Sequence, residues 1–259
     1  MKVIPSILPA KPSGRVVVIG AGKASARMAE AVESVWGSCD GLVITRYGYG
    51  RELLGIRVVE AAHPIPDVEG FKATKEMISI VSALGKDDFV LSLISGGGSS
   101  LLCAPIDGLS LNDKQAINHE LLSSGAPIGS MNIVRKHLSK VKGGQLAAYC
   151  YPAKMLNLSI SDVPGDNLSD IASGVTCGEN SKSNDALAII RQFKLEFPRN
   201  VMAALRNGSS VVSPNDHRLK YVQNLSLIHI SEPMRPERIS YAVFWLKKKR
   251  GGGGGGGGG

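Results

Sequence analysis

The sequence predicts an α/β fold, in which helices cover both faces of a doubly wound, mostly parallel sheet. Short runs of β-branched and aliphatic residues alternate with longer segments whose apolar residues recur at helical spacing. Several of the short runs lead directly into loops rich in glycine and serine. The apolar runs are continuous rather than alternating, as expected of parallel strands that are buried on both faces.

The predicted elements alternate between strand and helix through residues 1–224. The run RVVVIG at 15–20 is the first strand, and strong helix formers at helical spacing follow it at 23–36. The other predicted strands are 41–45, 56–60, 88–94 and 154–161. The other predicted helices are 68–84, 112–123, 131–139, 185–193 and 200–206. Repeated strand–helix alternation is the pattern of a parallel sheet.

Composition and charge restrict the partners that this protein can have. The chain of 259 residues is 43% hydrophobic and 20% charged, which excludes a disordered protein. Its formal net charge is +8, but the last 35 residues hold six Lys or Arg and two Glu, which is half of that excess. The remainder is mildly basic, so we expect an anionic small-molecule substrate and no nucleic acid partner.

Cysteine usage and hydropathy indicate a cytoplasmic protein. None of the four cysteines stands at a metal-binding or CxxC spacing, so we expect reduced thiols. Pro5 and Pro9 interrupt the N-terminal apolar stretch, and no cleavage site follows it, which makes it a poor signal peptide. The sequence has no run of eighteen apolar residues, so we expect no membrane partner.

Residues 225–259 do not resemble part of a natural domain. LSLIHISEP resembles the conceptual translation of a transposase-type sequencing adapter, and ISYAVF resembles the flow-cell end of that adapter. The run KKKR followed by nine glycines is what poly-A, a junction codon and poly-G would encode. A natural basic tail with a glycine linker is the alternative. We therefore derive the fold from residues 1–224 and expect 225–259 to be a disordered, non-native tail.

The first glycine-rich loop, GAGKAS at 20–25, joins the first predicted strand to the first predicted helix. Backbone N–H groups at such a position can point at an anion. Ser25 replaces the third glycine of a dinucleotide fingerprint, and the loop does not match a Walker A sequence. Lys23 places a cation at the positive end of a helix, which disfavours stability and suits an anionic ligand. Gly20, Gly22 and Lys23 are therefore candidate binding residues, the alternative being a tight turn with an exposed lysine.

The second loop, SGGGSS at 95–100, follows a predicted buried strand. Consecutive glycines let the backbone adopt positive φ and present successive N–H donors to an anion. The alternatives are a flexible turn and a serine hydrolase elbow, but Leu101 stands where the elbow requires glycine. The candidate binding residues of this loop are Ser95, Gly96, Gly97, Gly98 and Ser99.

The third loop, SDVPGD at 161–166, carries Asp162 and Asp166 directly after another predicted strand. Two carboxylates four residues apart could hold a hydrated Mg²⁺ beside a phosphate. For Asp166 the alternative is an Asx turn that caps a helix. The loop is therefore a candidate metal site.

Two further segments contain polar residues in unusual density. HPIPD at 63–67 is stiffened by two prolines and presents His63, although a single histidine is more often structural. The segment 132–144 packs four cations and a histidine into eight positions, among them Arg135 and Lys136. Such a charge run is usually a solvated helix face. Because this one leads into two glycines, an anionic ligand site is the rival interpretation.

The chain contains, in this order, the motifs GAGKAS, HPIPD, LISGGGSSLL, NIVRKHLSKVKGGQLA and SDVPGD with IASG. Together these motifs resemble the class II glycerate kinases of the MOFRL type, long named hydroxypyruvate reductases. The resemblance runs through nearly all of residues 14–208. It implies a Rossmann-like N-terminal domain and a smaller C-terminal MOFRL domain with the active site between them. It also implies transfer of the γ-phosphoryl group of ATP to the 2-hydroxyl of D-glycerate, with Mg²⁺, to give 2-phosphoglycerate.

The resemblance also implies roles for matching positions. Lys23 and Asp162 would be catalytic, and Asp162 with Asp166 would hold the metal ion. Val175 departs from the family, which has proline there. The phosphate- or substrate-binding residues that it implies are Gly20, Gly22, Ser95, Gly96, Gly97, Gly98, Ser99, Arg135 and Lys136.

The sequence leaves the family pattern near Asn224, so we expect the MOFRL domain to be missing and the N-terminal extension to be short. One wall of the active-site cleft would then be absent. We expect the full-length protein to be the enzyme and this chain to be inactive or nearly so, because phosphoryl transfer depends on positioning by both walls. The oligomeric state stays open, with a homodimer as one option.

Two other functions fit the same loops. An NAD(P)-dependent hydroxypyruvate reductase would need the third glycine of the dinucleotide fingerprint in the first loop. It would also need an acidic residue at the end of a strand, about twenty positions beyond that loop. Asp40 has that spacing but ends no predicted strand. A non-catalytic module that binds a sugar phosphate or a nucleotide is the third hypothesis.

Overall fold

The computed structural model describes residues 3–160, 167–207 and 211–226. The strands are β1 (Val16–Ala21), β2 (Asp40–Arg46), β3 (Ile56–Ala61), β4 (Phe89–Ser95), β5 (Lys154–Ile160) and β6 (Val222–Ser226). The α-helices are α1 (Ile4–Ile7), α2 (Ser25–Trp36), α3 (Val68–Ser82), α4 (Gly98–Leu101), α5 (Leu111–Ser123), α6 (Ile128–His137), α7 (Gln145–Tyr149), α8 (Ser183–Gln192) and α9 (Arg199–Arg206). Short 3₁₀ helices lie at Ile171–Ser173 and His217–Leu219. None of the helices in these ranges is long and apolar enough to cross a membrane.

The described strands form one sheet in the order β3-β2-β1-β4-β5-β6, and every neighbouring pair is parallel. This confirms the doubly wound α/β fold, with the strand order of a Rossmann-type sheet. The chain extends the sheet from β1 to β3 on one side and then returns to place β4 on the other side of β1. The carboxyl ends of β1 and β4 are therefore neighbours at the point where the order reverses, which is where such sheets bind ligands.

Both faces of the sheet are covered, because successive residues of a strand point to opposite sides. Val17 and Ile19 pack in the cluster that includes Met77 of α3, on one face. Val18 packs with Met28 of α2 on the other. The continuous apolar runs of the sequence thus correspond to strands buried on two sides, as predicted.

A third apolar cluster forms among four helices, α5, α6, α8 and α9. Ile117 and Leu121 of α5 contribute to it, as do Val134 of α6 and Val201 of α9. Because α5 and α6 are anchored by these contacts, the positions of their polar residues relative to the sheet are set by helix packing.

The predicted strands and helices are confirmed, with shifts of a few residues at their ends. Helices α1, α4 and α7 were not predicted, because they are too short to show a helical period. Strand β6 was not predicted either; it pairs with β5 and ends at Ser226, two residues beyond the predicted boundary at 224. Whether the tail is native stays a prediction.

Glu33 on α2 ties the loop before β3 to the sheet. Its carboxylate is 5% exposed and accepts hydrogen bonds from the backbone N–H groups of Cys39, Leu54, Gly55 and Ile56, at 2.5 to 3.4 Å. Burial acts to raise the pKa of Glu33, but the four N–H donors outweigh it and the pKa is lowered. The charged form of Glu33 is therefore the one that stabilises the fold.

We expect Glu33→Gln to lower the free energy of unfolding by about 2 kcal/mol at neutral pH, because an amide NH₂ then faces backbone donors. Since the pKa of Glu33 is lowered in the folded state, its contribution is present at neutral pH and is lost as the pH falls through that lowered value. The difference between the wild type and the variant should shrink below about pH 4. Urea unfolding across this pH range measures it. Glu30→Gln, an exposed position on the same helix, should have little effect.

Candidate functional site

The loops that follow β1 and β4 are held together by backbone and side-chain hydrogen bonds. The N–H of Lys23 donates to the carbonyl of Gly96 at 2.9 Å, and the N–H of Ala24 donates to Oγ of Ser95 at 3.0 Å. The N–H of Gly22 donates to the carbonyl of Ile44 in β2 at 3.0 Å. These amides are used within the protein, contrary to the expectation that they point at an anion. The cation of this loop is the exposed side chain of Lys23.

Gly20 and Gly22 allow the two loops to approach each other. A Cβ atom at Gly20 would lie 2.4 Å from the carbonyl oxygen of Leu93, and a Cβ at Gly22 would lie 2.1 Å from Oγ of Ser95. Gly22 also has a φ of +142°, which side chains rarely tolerate. The predicted binding role of these glycines stays a prediction, whereas their packing role follows from the geometry.

The glycines after β4 bring Lys23 and His63 together. Gly97 has a φ of +86°, and a Cβ there would lie 2.9 Å from Nε2 of His63 and 3.3 Å from Cγ of Lys23. The chain then turns into α4, and its first residues, Gly98 and Ser99, have no intrahelical acceptor for their N–H groups. The lysine of the first loop and the triple-glycine turn thus form one surface.

A strained segment lies against α4. Ala172 and Ser173 have φ angles of +50° and +60°, in the left-handed region that costs a non-glycine residue about 1 kcal/mol or more. Oγ of Ser173 lies 2.9 Å from Oγ of Ser99 and 3.3 Å from Oδ1 of Asn132. Strain of this kind is typical of functional sites. The ASG segment was predicted as part of the site, but its contact with Ser99 and Asn132 was not, because these residues are 74 and 41 positions away from Ser173.

The two cations predicted on α6 have different environments. Lys136 is buried and forms an ion pair with Glu179 at 2.5 Å. Burial acts to raise the pKa of Glu179, but the hydrogen bonds from Lys136 and Ser181 lower it overall. The charge of Lys136 is therefore already neutralised within the protein. Arg135 is half-buried, burial lowers the pKa of its guanidinium, and no counter-ion is seen among the described residues.

Two buried lysines that were not predicted also lie near the second loop. Nζ of Lys142, which is 0% exposed, donates to the carbonyls of Ser99 at 2.6 Å and Leu102 at 3.2 Å. Lys114 is 3% exposed and shares the buried face of α5 with Ile117. A lysine on the apolar stripe of a helix is a signal in the sequence that could have identified Lys114.

A recess of about 520 Å³ opens beside the first loop. It is lined by Lys23, Arg27 and Arg51, with Tyr49 among the remaining lining residues. All four side chains are exposed. Three cations around one recess suit a polyanionic ligand such as the phosphates of a nucleotide.

The third predicted loop lies outside the described residues, and with it Asp162 and Asp166. Within the ranges that the structure describes, no group of three or more His, Cys, Asp or Glu residues could hold a metal ion. The magnesium site at Asp162 and Asp166 therefore stays a prediction.

The sequence matches the family described as "Domain of unknown function (DUF4147)" over residues 3–206. It is 50% identical over 204 residues to a protein of Agrobacterium vitis that is provisionally named hydroxypyruvate reductase, covering 78% of this chain and 47% of that protein. It is 44% identical over 197 residues to a glycerate 2-kinase of Pyrococcus horikoshii, covering 75% of this chain and 44% of that protein.

The crystal structure of a glycerate kinase from Thermotoga maritima has the same fold, with a TM-score of 0.77 and 34% sequence identity. The match covers 96% of this chain and 57% of that one. The chain thus spans about half the length of the relatives that it matches.

We expect Gly22→Ala to lower the free energy of unfolding by about 3 kcal/mol or more, because the new Cβ collides with Ser95 at a backbone angle that only glycine adopts freely. Gly125→Ala is the matched control. Gly125 also has positive φ, +69°, but nothing lies within 4 Å of its Cβ position. It should cost about 1 kcal/mol. Equal losses in thermal unfolding would contradict the packing role of Gly22.

Proposed function

The chain belongs to the DUF4147 family, and we propose that the protein of which it is part is a cytoplasmic glycerate kinase that transfers a phosphoryl group from ATP to D-glycerate. The observation that carries the proposal is the position of Lys23 beside Gly97, where the carboxyl ends of β1 and β4 meet. Its homology to glycerate kinases at 36 to 44% identity supports this function. The remaining half of the relatives' length would supply the second wall of the site.

ATP would bind in the recess beside the first loop. The triphosphate carries several negative charges, and Lys23, Arg27 and Arg51 surround this space. Because Lys23 also faces the triple-glycine turn, its ammonium group would lie between the nucleotide and a substrate bound near Gly97. This arrangement would place the transferred group next to a fixed cation.

The reaction that we propose is a displacement at the γ-phosphorus. The 2-hydroxyl oxygen of D-glycerate forms a bond to phosphorus, the bond to the bridging oxygen breaks, and the products are 2-phosphoglycerate and ADP. Lys23 would stabilise the negative charge on the transferred oxygens, and Asp162 would accept the hydroxyl proton. Mg²⁺, held by Asp162 and Asp166, would neutralise phosphate charge.

A hydroxypyruvate reductase is the second candidate, because two relatives are provisionally given that name. The geometry disfavours it. Ser25, in place of the third glycine, is buried and its Oγ donates to the carbonyl of Leu93 at 2.8 Å. Asp40 begins β2 instead of ending it, so its carboxylate lies at the sheet edge opposite the first loop. Asp40 is therefore not placed to bind a dinucleotide ribose.

The kinase proposal predicts ATP-dependent phosphorylation of D-glycerate by the full-length protein, and no oxidation of NADH or NADPH with hydroxypyruvate. A coupled assay for ADP and an absorbance assay at 340 nm, run on one preparation, separate the two activities. Reduction of hydroxypyruvate without phosphorylation would reject the kinase. For this chain alone we expect little or no turnover in either assay.

In the full-length protein, Lys23→Ala should lower kcat by about 100-fold or more while glycerate binding is largely retained, since the cation acts on charge in the transition state. Lys86→Ala is the control, because Lys86 is an exposed lysine just before β4, at the edge of the sheet opposite these loops. Steady-state kinetics with both substrates measure the effect. If Lys23→Ala turned over normally, the non-catalytic binding module would be the better description.

A further inference from the structure

Tyr49 places an aromatic ring in the wall of the recess beside the first loop. Residues 48–51, which follow β2, line this space together with Lys23 and Arg27 from the start of α2. Its volume of about 520 Å³ lies within the range of about 300 to 1,000 Å³ that is usual for small-molecule sites. The recess therefore combines room for a ligand, three cations and an aromatic surface.

One face of the Tyr49 ring is covered and the other is open. Cζ of Arg46 lies 3.7 Å from the centroid of the ring, and Nη2 of Arg46 donates to Oη of Tyr49. The residue is nevertheless 45% exposed. Because the guanidinium covers one face, the exposure belongs to the opposite face and the ring edge. A planar ligand can stack on an aromatic ring that is held in this way.

The backbone that carries Tyr49 is fixed by hydrogen bonds within the protein. Oε1 of Glu60 in β3 accepts from the N–H of Tyr49 at 3.0 Å and from the N–H of Gly50 at 2.7 Å. The N–H of Tyr49 also donates to the carbonyl of Arg46 at 3.1 Å. A Cβ atom at Gly50 would lie 3.1 Å from Oε1 of Glu60, so glycine permits this close approach. The ring is thus preorganised, which lowers the entropy cost of binding a ligand against it.

The strand order gives a bound nucleotide one direction along the carboxyl edge of the sheet. β2 lies next to β1 on the side away from β4. Gly97 follows β4, Lys23 follows β1 and Tyr49 follows β2, so the three residues are arranged in this order. Lys23 contacts both neighbours' territory, because it lies beside Gly97 and also lines the recess with Tyr49. Phosphates bound at Lys23 therefore leave the base on the Tyr49 side.

We propose that the open face of Tyr49 stacks on the base of a purine nucleotide whose phosphates bind to Lys23, Arg27 and Arg51. The inference rests on the proposed function for the use of that nucleotide as phosphoryl donor. Every base has a π-face, so stacking selects a nucleotide over free polyphosphate without reading the hydrogen-bonding edge of the base. A purine covers more of the tyrosine ring than a pyrimidine does, so the stacking favours ATP over CTP.

The test is calorimetric titration of the 259-residue chain with ATP, with CTP and with inorganic tripolyphosphate, which has the phosphates without the base. Tyr49→Leu should weaken ATP binding by about 10-fold or more, because a stacked base loses its aromatic partner. The loss should be smaller for CTP. Tripolyphosphate binding should be unchanged, because the three cations of the recess remain.

Tyr47→Leu is the matched control. Tyr47 is an exposed tyrosine two positions earlier, its hydroxyl donates to Oδ2 of Asp67 at 2.8 Å, and it does not line the recess. Tyr47→Leu and Tyr49→Phe should both keep the wild-type affinity for ATP, the latter because it retains the ring face. Arg27→Gln should weaken ATP and tripolyphosphate alike, because it removes a phosphate contact.

Three results would overturn the inference: wild-type ATP affinity in Tyr49→Leu, parallel losses of ATP and tripolyphosphate binding in that variant, or a wild-type chain that binds no ATP. Thermal unfolding without ligand separates a lost contact from a lost fold. Since Tyr49 is 45% exposed, Tyr49→Leu should unfold at nearly the wild-type temperature.

The base site and the kinase can fail separately. ATP binding that depends on Tyr49, in a full-length protein that phosphorylates no glycerate, supports the base site and rejects the kinase. Phosphorylation of glycerate by a full-length Tyr49→Leu protein with an unchanged KM for ATP supports the kinase and rejects the base site.

Discussion

The contact between the loop after β1 and the loop after β4 is the constraint on which the site depends. Parallel pairing of these strands places their carboxyl ends side by side, and glycines at 20 and 22 remove the side chains that would hold the loops apart. Hydrogen bonds from Lys23 and Ala24 then close the gap. Because this junction is rigid, the Lys23 side chain is directed to one surface, beside the turn at Gly97.

Polar groups in the scaffold and polar groups at the site differ in how completely they are satisfied. The carboxylate of Glu33 accepts four backbone N–H bonds, and Lys136 has the carboxylate of Glu179. Lys114 and Arg135 have no comparable partner in the described residues. Stability favours the first arrangement, because a buried charge without a partner costs free energy.

The outline of the site could be predicted because it follows from chain order. A strand that ends in a glycine loop has that loop at the carboxyl edge of the sheet, wherever the rest of the chain goes. Lys23 and the triple glycine could therefore be assigned to one surface. The role of Lys136 could not, because its partner Glu179 is 43 residues away and lies on no motif. Lys114 was missed because nothing in its immediate sequence resembles a binding motif.

By itself, the sequence determined the longer helices, five of the six described strands, the doubly covered parallel sheet and the loops that carry the chemistry, because each depends on local periodicity and on residues adjacent in the chain. The tertiary structure decided which cations are neutralised, which glycines serve close packing and which serines meet across the site. Those outcomes depend on contacts between residues that are distant in sequence, such as Lys136 with Glu179 and Gly22 with Ser95, and only the packing of the whole chain brings such residues together.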